Sequence, residues 1–271
     1  MRSRLALFCA TLLVLLLSAA GPLSAAEPIR LATTTSTENS GLLAKLLPPF
    51  EQLTGQTVHV VAVGTGKALR MGQDGDADVV LVHARPAEDA FMEAGYGVNR
   101  RDVMYNDFVL VGPPGDPAGI GGSKDAAAAL KQIADKGAAF VSRGDNSGTH
   151  KKELELWEAA GVKPAGSWYR EAGQGMGKVL QMSGEMDAYT LVDRGTWLAY
   201  TGKTPLKVLV EGDERLFNPY GIIAVNPVRY PAINYMGAMS LIAWVTSPEG
   251  QAIIRDYTIN DQPLFVPVAV P

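Results

Sequence analysis

Cysteine is all but missing: Cys9 is the single one in 271 residues. That excludes a disulfide framework and a cysteine-ligated metal. Neither sign of charge dominates, with 24 Lys and Arg against 28 Asp and Glu and a net charge of −4. Nothing electrostatic therefore points to nucleic acid or an anionic membrane surface as partner. The 29 glycines and 17 prolines are too few for a low-complexity chain, and 47% hydrophobic residues are too many for a disordered one. The three histidines, His59, His83 and His150, lack metal-ligand spacing and read as structural or exposed. No internal repeat is visible, and beyond the amino terminus no segment reaches a membrane-spanning length without a charge or a break. The length suffices for two modest domains or one large one.

Arg2 and Arg4 precede an apolar run from Leu5 to Leu17, and Ser24-Ala25-Ala26 supplies the small residues that a signal peptidase needs. Residues 1–26 read as a signal peptide cleaved near Ala26, which predicts an exported, periplasmic, soluble protein and a monomer. A membrane anchor is the competing reading. The shortness of the run and the Gly21-Pro22 at its end weigh against it.

The remainder alternates strand and helix. Ile29–Ala32, Val58–Val63, Val79–Val82 and Phe108–Val111 are apolar strand candidates, with Val58–Val63 expected to be buried. Between the first two lies a helical face of Leu42, Leu43, Leu46, Leu47, Phe50 and Leu53, in which Pro48-Pro49 should kink or divide the helix. Such βαβα alternation predicts an α/β fold of mostly parallel sheets flanked by helices. Gly112-Pro113-Pro114-Gly115-Asp116-Pro117 is the densest breaker cluster and marks a crossing into a second lobe, while Phe217-Asn218-Pro219-Tyr220 marks the crossing back. The expected division is 27–110 plus 217–271 as the first lobe and 111–216 as the second, with hinges near 109–115 and 215–221. The second lobe reads as helices at 123–136, 148–160 and 176–186 among strands at 138–141, 168–171, 188–192 and 208–210. Two helices, near 230–245 and 248–257, complete the first.

Three loops carry the chemistry: Thr33-Thr34-Thr35-Ser36-Thr37, Gly64-Thr65-Gly66-Lys67, and the segment from Ser142 to His150. Each follows an apolar strand and opens a helix, the position where open α/β sheets bind ligands. A helix amino terminus offers unpaired N–H donors and a partial positive charge, which suits an anion. Taken singly, each loop is explained by helix capping and chain turning. Taken together, with Arg143 among them, they point to a shared oxyanion site. Nucleotide readings fail on spacing, since Val61 stands where a P-loop before Gly66-Lys67 needs glycine. Asp74, Asp76 and Asp78 have calcium-loop spacing, but Val79 and Arg85 replace the required Gly and Glu, so they read as a solvated turn.

The segments 31–43 (LATTTSTENSGLL), 64–68 (GTGKA) and 142–150 (SRGDNSGTH), with 188–196 (AYTLVDRGT), resemble the periplasmic tungstate-binding proteins of ABC transporters. The resemblance covers essentially the whole of residues 27–271. It implies a two-lobed periplasmic binding protein fold of type II that closes on tungstate, in some members also on molybdate. It further implies a membrane permease as partner, no cofactor and no metal site, the ligand being held as an oxyanion. Carried over by motif, the contacts are Thr34, Thr35 and Ser36, then Thr65 and Gly66, then Arg143, Ser147, Gly148 and Thr149. Thr190 matches a ligand-facing position of related oxyanion binders. Val192 departs from the family pattern, where Thr is expected.

The residues alone say less. Tungstate, molybdate and sulfate are unprotonated dianions near neutral pH, so each oxygen accepts and the protein must donate. Desolvating such an ion demands convergent hydrogen bonds. Phosphate keeps a proton and needs an acceptor, a role open to Asp145. The alternative for Asp145 is to pair with Arg143, and the Thr-Thr-Thr-Ser opening favours it. A phosphate- or sulfate-binding protein and a hydrolase of phosphate esters are the competing functions. No paired carboxylates or Ser–His–acid arrangement in these loops supports catalysis.

Overall fold

The computed structural model describes residues 27–145 and 147–269. The predicted signal peptide lies outside them. No helix among the described residues is long and apolar enough to cross a membrane.

The first lobe is built on β1 (Ile29–Thr34), β2 (Val58–Val63) and β3 (Val79–Val82). β1 lies parallel to both β2 and β3, pairing Leu31 with Val60 and with Val79. The sheet is continued by two long strands, β4 (Gly97–Gly112) and β9 (Phe217–Val225), which run antiparallel to each other, and β9 also pairs antiparallel with β3. Side chains alternate between faces, as strand geometry requires. Ile29, Leu31, Val79, Leu81 and Ile222 pack on one face against α2 (Leu43–Thr54), α9 (Tyr235–Val245) and α10 (Pro248–Arg255). Ala32, Val80, Val82 and Ile223 pack on the other against α3 (Thr65–Asp74) and α4 (Arg85–Glu93).

β4 leaves this sheet between Asp107 and Phe108. Its earlier residues pair with β9, and Phe108 to Gly112 pair with β7 (Thr190–Asp193) and β8 (Lys207–Val210) of a second sheet. β5 (Phe140–Ser142) lies parallel to β6 (Tyr169–Glu171) and reaches the second sheet through a bridge from Phe140 to Tyr189. Helices α5 (Ala126–Lys136) and α6 (Gly148–Ala159) cover one face over Phe108, Leu110 and Leu191, and α7 (Met176–Glu185) covers the other over Val109, Val111 and Val192. The fold is thus α/β and two-lobed, each lobe having helices on both faces of its sheet.

Several elements differ from expectation. Val58–Val63 is an edge strand, half exposed, because it pairs with β1 alone and Val61 is open to solvent. Pro48 and Pro49 lie inside α2 without dividing it. The carbonyls they leave without partners belong to Ala44 and Lys45, on the helix's exposed face, where water substitutes. The return to the first sheet falls where Phe217 opens β9, whereas the outward change of sheet falls within β4, ahead of the 112–117 cluster. Asp78 is fully buried and not in a solvated turn: it accepts from Arg30 Nη2 at 2.7 Å and from the Asn234 backbone at 2.8 Å.

Candidate functional site

A cavity of about 420 Å³ lies where the two sheets meet. Short α1 (Thr35–Asn39), α3 and α6 all begin at it, placing Thr34, Thr35, Ser36, Thr65, Arg143, Ser147, Gly148 and Thr149 on its wall. These three starts are far apart in sequence, and the carboxyl ends of β1, β2 and β5 bring them together. Two further helices, α7 and α8 (Arg194–Tyr200), also begin there, through Gly175 to Gly177 and through Gly195 and Thr196. The sequence reading missed this pair, although Gly175-Met176-Gly177 repeats the glycine spacing of Gly64-Thr65-Gly66 after a strand. Thr34 and Ser147 cap α1 and α6 through their hydroxyls, whereas α3 and α7 have no side-chain cap. The first-turn N–H groups of α3 and α7 are therefore open to an anion.

Two predicted positions fall elsewhere. Gly66 is exposed one residue inside α3 and is not on the cavity wall. Thr190 is buried within β7 opposite Val111 and is not on the wall either. Val192 lies in the apolar core beneath α7, where the hydroxyl of a threonine would have to be buried.

Arg143 supplies the permanent positive charge among the described cavity residues. Its Nε donates to Asp145 Oδ2 at 3.1 Å, and its Nη2 closes the pair. Asp145 also accepts from the Ser147 backbone at 3.0 Å. Burial pushes the Asp145 carboxyl up, but the hydrogen bonds from Ser147 and Arg143 outweigh it and hold the group below the usual range. Beneath the loop, buried Glu153 accepts from Ser142 Oγ at 2.8 Å, Trp157 Nε1 at 3.1 Å and Tyr169 Oη at 2.8 Å. Burial nevertheless pushes Glu153 up. Gly144 adopts φ +61°, and a Cβ there would stand 2.5 Å from Glu171 Cβ. That turn brings Arg143 back towards the cavity.

His83 corrects the sequence reading that placed it among structural or exposed histidines. Its Nε2 lies 3.1 Å from both Thr34 Oγ1 and Ser36 Oγ, and its Nδ1 lies 2.9 Å from Asn218 Oδ1. Asn218 donates in turn to Asn106 Oδ1 at 2.7 Å, and Tyr220 stacks on the ring at 4.6 Å. All four line the cavity. Burial holds His83 below its ordinary value, against the Asn218 hydrogen bond and the Asp193 charge. His59 is exposed, and His150 sits 3.1 Å from Ser142 Oγ. Asp193, the carboxylate on the wall, accepts from Thr196 with both oxygens, at 2.8 Å from the backbone and 2.6 Å from the hydroxyl. No group of three or more His, Cys, Asp or Glu able to hold a metal occurs among the described residues.

Residues 21–249 match the model of a PBP superfamily domain. The chain is 51% identical over 245 residues to the tungstate-binding protein TupA of Peptoclostridium acidaminophilum, covering 89% of this chain and 86% of that one. Among solved structures it resembles the tungstate-binding protein TupA of Desulfovibrio alaskensis G20. The TM-score is 0.84 at 46% identity, over 90% of this chain and all of that one. It also resembles the tungstate ABC transporter structure from Geobacter sulfurreducens, with a TM-score of 0.78 and 60% identity over 86% of this chain and all of that one.

Proposed function

The chain belongs to the PBP superfamily, and from that premise we propose that it is the solute-binding component of an ABC importer for tungstate. It binds the oxyanion in the cleft, takes molybdate as a second ligand, and delivers its cargo to permease subunits from the periplasm as a monomer. The relatives described as tungstate-binding support the choice of ion. The observation that carries the reading is the chemistry of the wall: hydroxyls of Thr34, Thr35, Ser36, Thr65, Ser147 and Thr149, helix starts at Thr65 and Gly148, and the Arg143 guanidinium. An unprotonated dianion accepts through every oxygen, and this wall offers donors from several directions.

The carboxylates near the site are already occupied. Asp193 is taken by Thr196, and Asp145 by Arg143 and Ser147. A phosphate monoanion or hydrogenphosphate would need an acceptor for its proton, and with these two carboxylates engaged the relatives described as tungstate-binding favour tungstate. For a hydrolase, neither Asp193 nor Asp145 among the described residues is free to act as general base for an attacking water. Calorimetric titration with tungstate, molybdate, sulfate and phosphate tests the reading. Tungstate should bind most tightly, with molybdate next; saturable binding of phosphate alone would overturn it. Turnover of a chromogenic phosphate ester would revive the hydrolase.

A further inference from the structure

Nε2 of His83 is an acceptor on the cavity wall unsuited to an unprotonated dianion. The Asn218 amide nitrogen is spent on Asn106, so its carboxamide oxygen faces Nδ1 of His83 and takes that ring's hydrogen. Nε2 of the neutral ring is then a lone pair, 3.1 Å from the hydroxyls of Thr34 and Ser36. Those hydroxyls are two of the donors assigned to the ligand. Once they turn to an oxyanion, Nε2 loses its hydrogen-bond donors inside a polar cavity.

We propose, resting on the oxyanion reading above, that the cleft takes up its dianion together with one proton, which comes from the buffer and settles on Nε2 of His83. The new N–H donates to the oxygens of Thr34 and Ser36, which releases the Ser36 hydroxyl hydrogen to the ligand. The Thr34 oxygen also accepts from the Thr37 backbone at 3.2 Å and has the Thr37 hydroxyl at 2.7 Å. This corner of the wall then donates towards the ligand.

Charge favours the same step. The ligand brings two negative charges, and the cation among the cavity residues, Arg143, is already paired with Asp145. The groups facing His83 are the Asp193 carboxylate from the junction of β7 and α8, Tyr220 and Asn218 from β9, the two hydroxyls from the start of α1, and the amino terminus of α6. Of these, the amino termini of α6 and α1 oppose a positive ring, as does that of α4, which begins two residues after His83. The Asp193 carboxylate favours it. In the free protein burial keeps the ring neutral. An opposite charge within a few ångström raises a pKa by about 1–3 units, and a dianion acts more strongly than a single charge.

The test is titration of the exported protein with sodium tungstate at pH 7.5 in buffers of different ionisation enthalpy. About one proton should be taken up per tungstate bound. Affinity should fall about tenfold per pH unit over the range in which the ring is neutral when free and charged when bound, following proton linkage. His83→Gln should bind more weakly, with no proton uptake and a flat pH profile. Nitrogen-15 spectra of the unmodified protein provide a second measurement: with three histidines in the chain, one ring should pass from neutral to imidazolium on saturation. Tungstate binding without proton uptake, or a neutral ring in the complex, overturns this proposal and leaves the tungstate reading standing. Tight phosphate binding without uptake overturns it as well, since Nε2 would then accept the ligand's own proton. No binding of tungstate overturns both.

Discussion

At the scale of single residues, the sharpest test of the proposed site falls on Arg143. A charge-assisted hydrogen bond contributes about 1.5–3 kcal/mol net, and more where its loss leaves a buried charge unpaired. Arg143→Ala should therefore weaken tungstate binding at least about tenfold, and Arg143→Lys should recover only part, lacking the planar fork. If Arg143 merely paired with Asp145, breaking that pair would cost about 0–1 kcal/mol of stability and leave affinity unchanged. Calorimetry on the folded variant separates the two. Gly144, next to Arg143, is where the loop turns against Glu171. With φ +61° and Glu171 Cβ only 2.5 Å from where a Cβ would stand, Gly144→Ala combines backbone strain with a clash. It should cost about 1–3 kcal/mol in chemical denaturation, and tungstate affinity should drop alongside. The site residues legible in the sequence were those whose loops carry a local signature of hydroxyls and glycine after an apolar strand. His83 has no such signature. Its partners are 49 and 135 positions away, and a lone histidine after an apolar strand looks like any other.

At the scale of elements, the α6 loop is held from below by Glu153. Removing that carboxylate takes the acceptor from the Trp157 indole and the Tyr169 phenol, each within 3.1 Å of it, and leaves the Ser142 hydroxyl with His150 Nδ1 and the Gly144 N–H. Glu153→Ala should cost about 2–5 kcal/mol, read as a lower midpoint in urea. Glu153→Gln keeps an acceptor and should cost less. The sign of the pH effect follows from the raised folded-state pKa. The protonated carboxyl suits the fold, so its stabilising contribution is lost as pH rises from the ordinary glutamate value, about 4.3, through the folded one. Glu153→Gln should therefore lose less stability than the parent over that interval. The helices and short buried strands were largely legible, because their apolar periodicity survives in the fold. β4 was legible only at Phe108 to Val111. Its earlier half carries Asn99, Arg100, Arg101 and Asp102, with a register shift and φ +54° at Asn99. That polar stretch becomes strand because β9 supplies the ladder partner, and β9 lies more than a hundred residues away.

At the scale of the molecule, the two crossings between sheets lie side by side. Asp107 at the end of the first part of β4 pairs with Phe217 at the start of β9, and Asn106 pairs with Asn218. From the second lobe, Arg194 grips Asp107 through Nε at 2.7 Å and Nη2 at 2.6 Å. Adjacent crossings of this kind define one hinge axis, about which a few backbone angles can turn a whole lobe. Thr34, Ser36, Thr65 and His83 belong to one side of the cleft and Arg143, Ser147, Gly148 and Thr149 to the other, so an ion bound by both sets must favour the closed arrangement. Gly148 and His83 approach each other across the cleft, which makes them the expected limit to closure: a Cβ on Gly148 would stand 3.3 Å from Cε1 of the ring. Glycine is favoured there by approach across the cleft and not by backbone conformation, because its φ lies outside the left-handed region. Saturating tungstate should lower the radius of gyration measured by X-ray scattering. Gly148→Val, whose branched side chain cannot fit against the imidazole, should retain the dimensions of the free protein at the same tungstate concentration and bind more weakly. Identical profiles for the unaltered protein with and without tungstate would show that binding proceeds without closure. Compaction of the Gly148→Val variant equal to that of the unaltered protein would remove this contact as the limit.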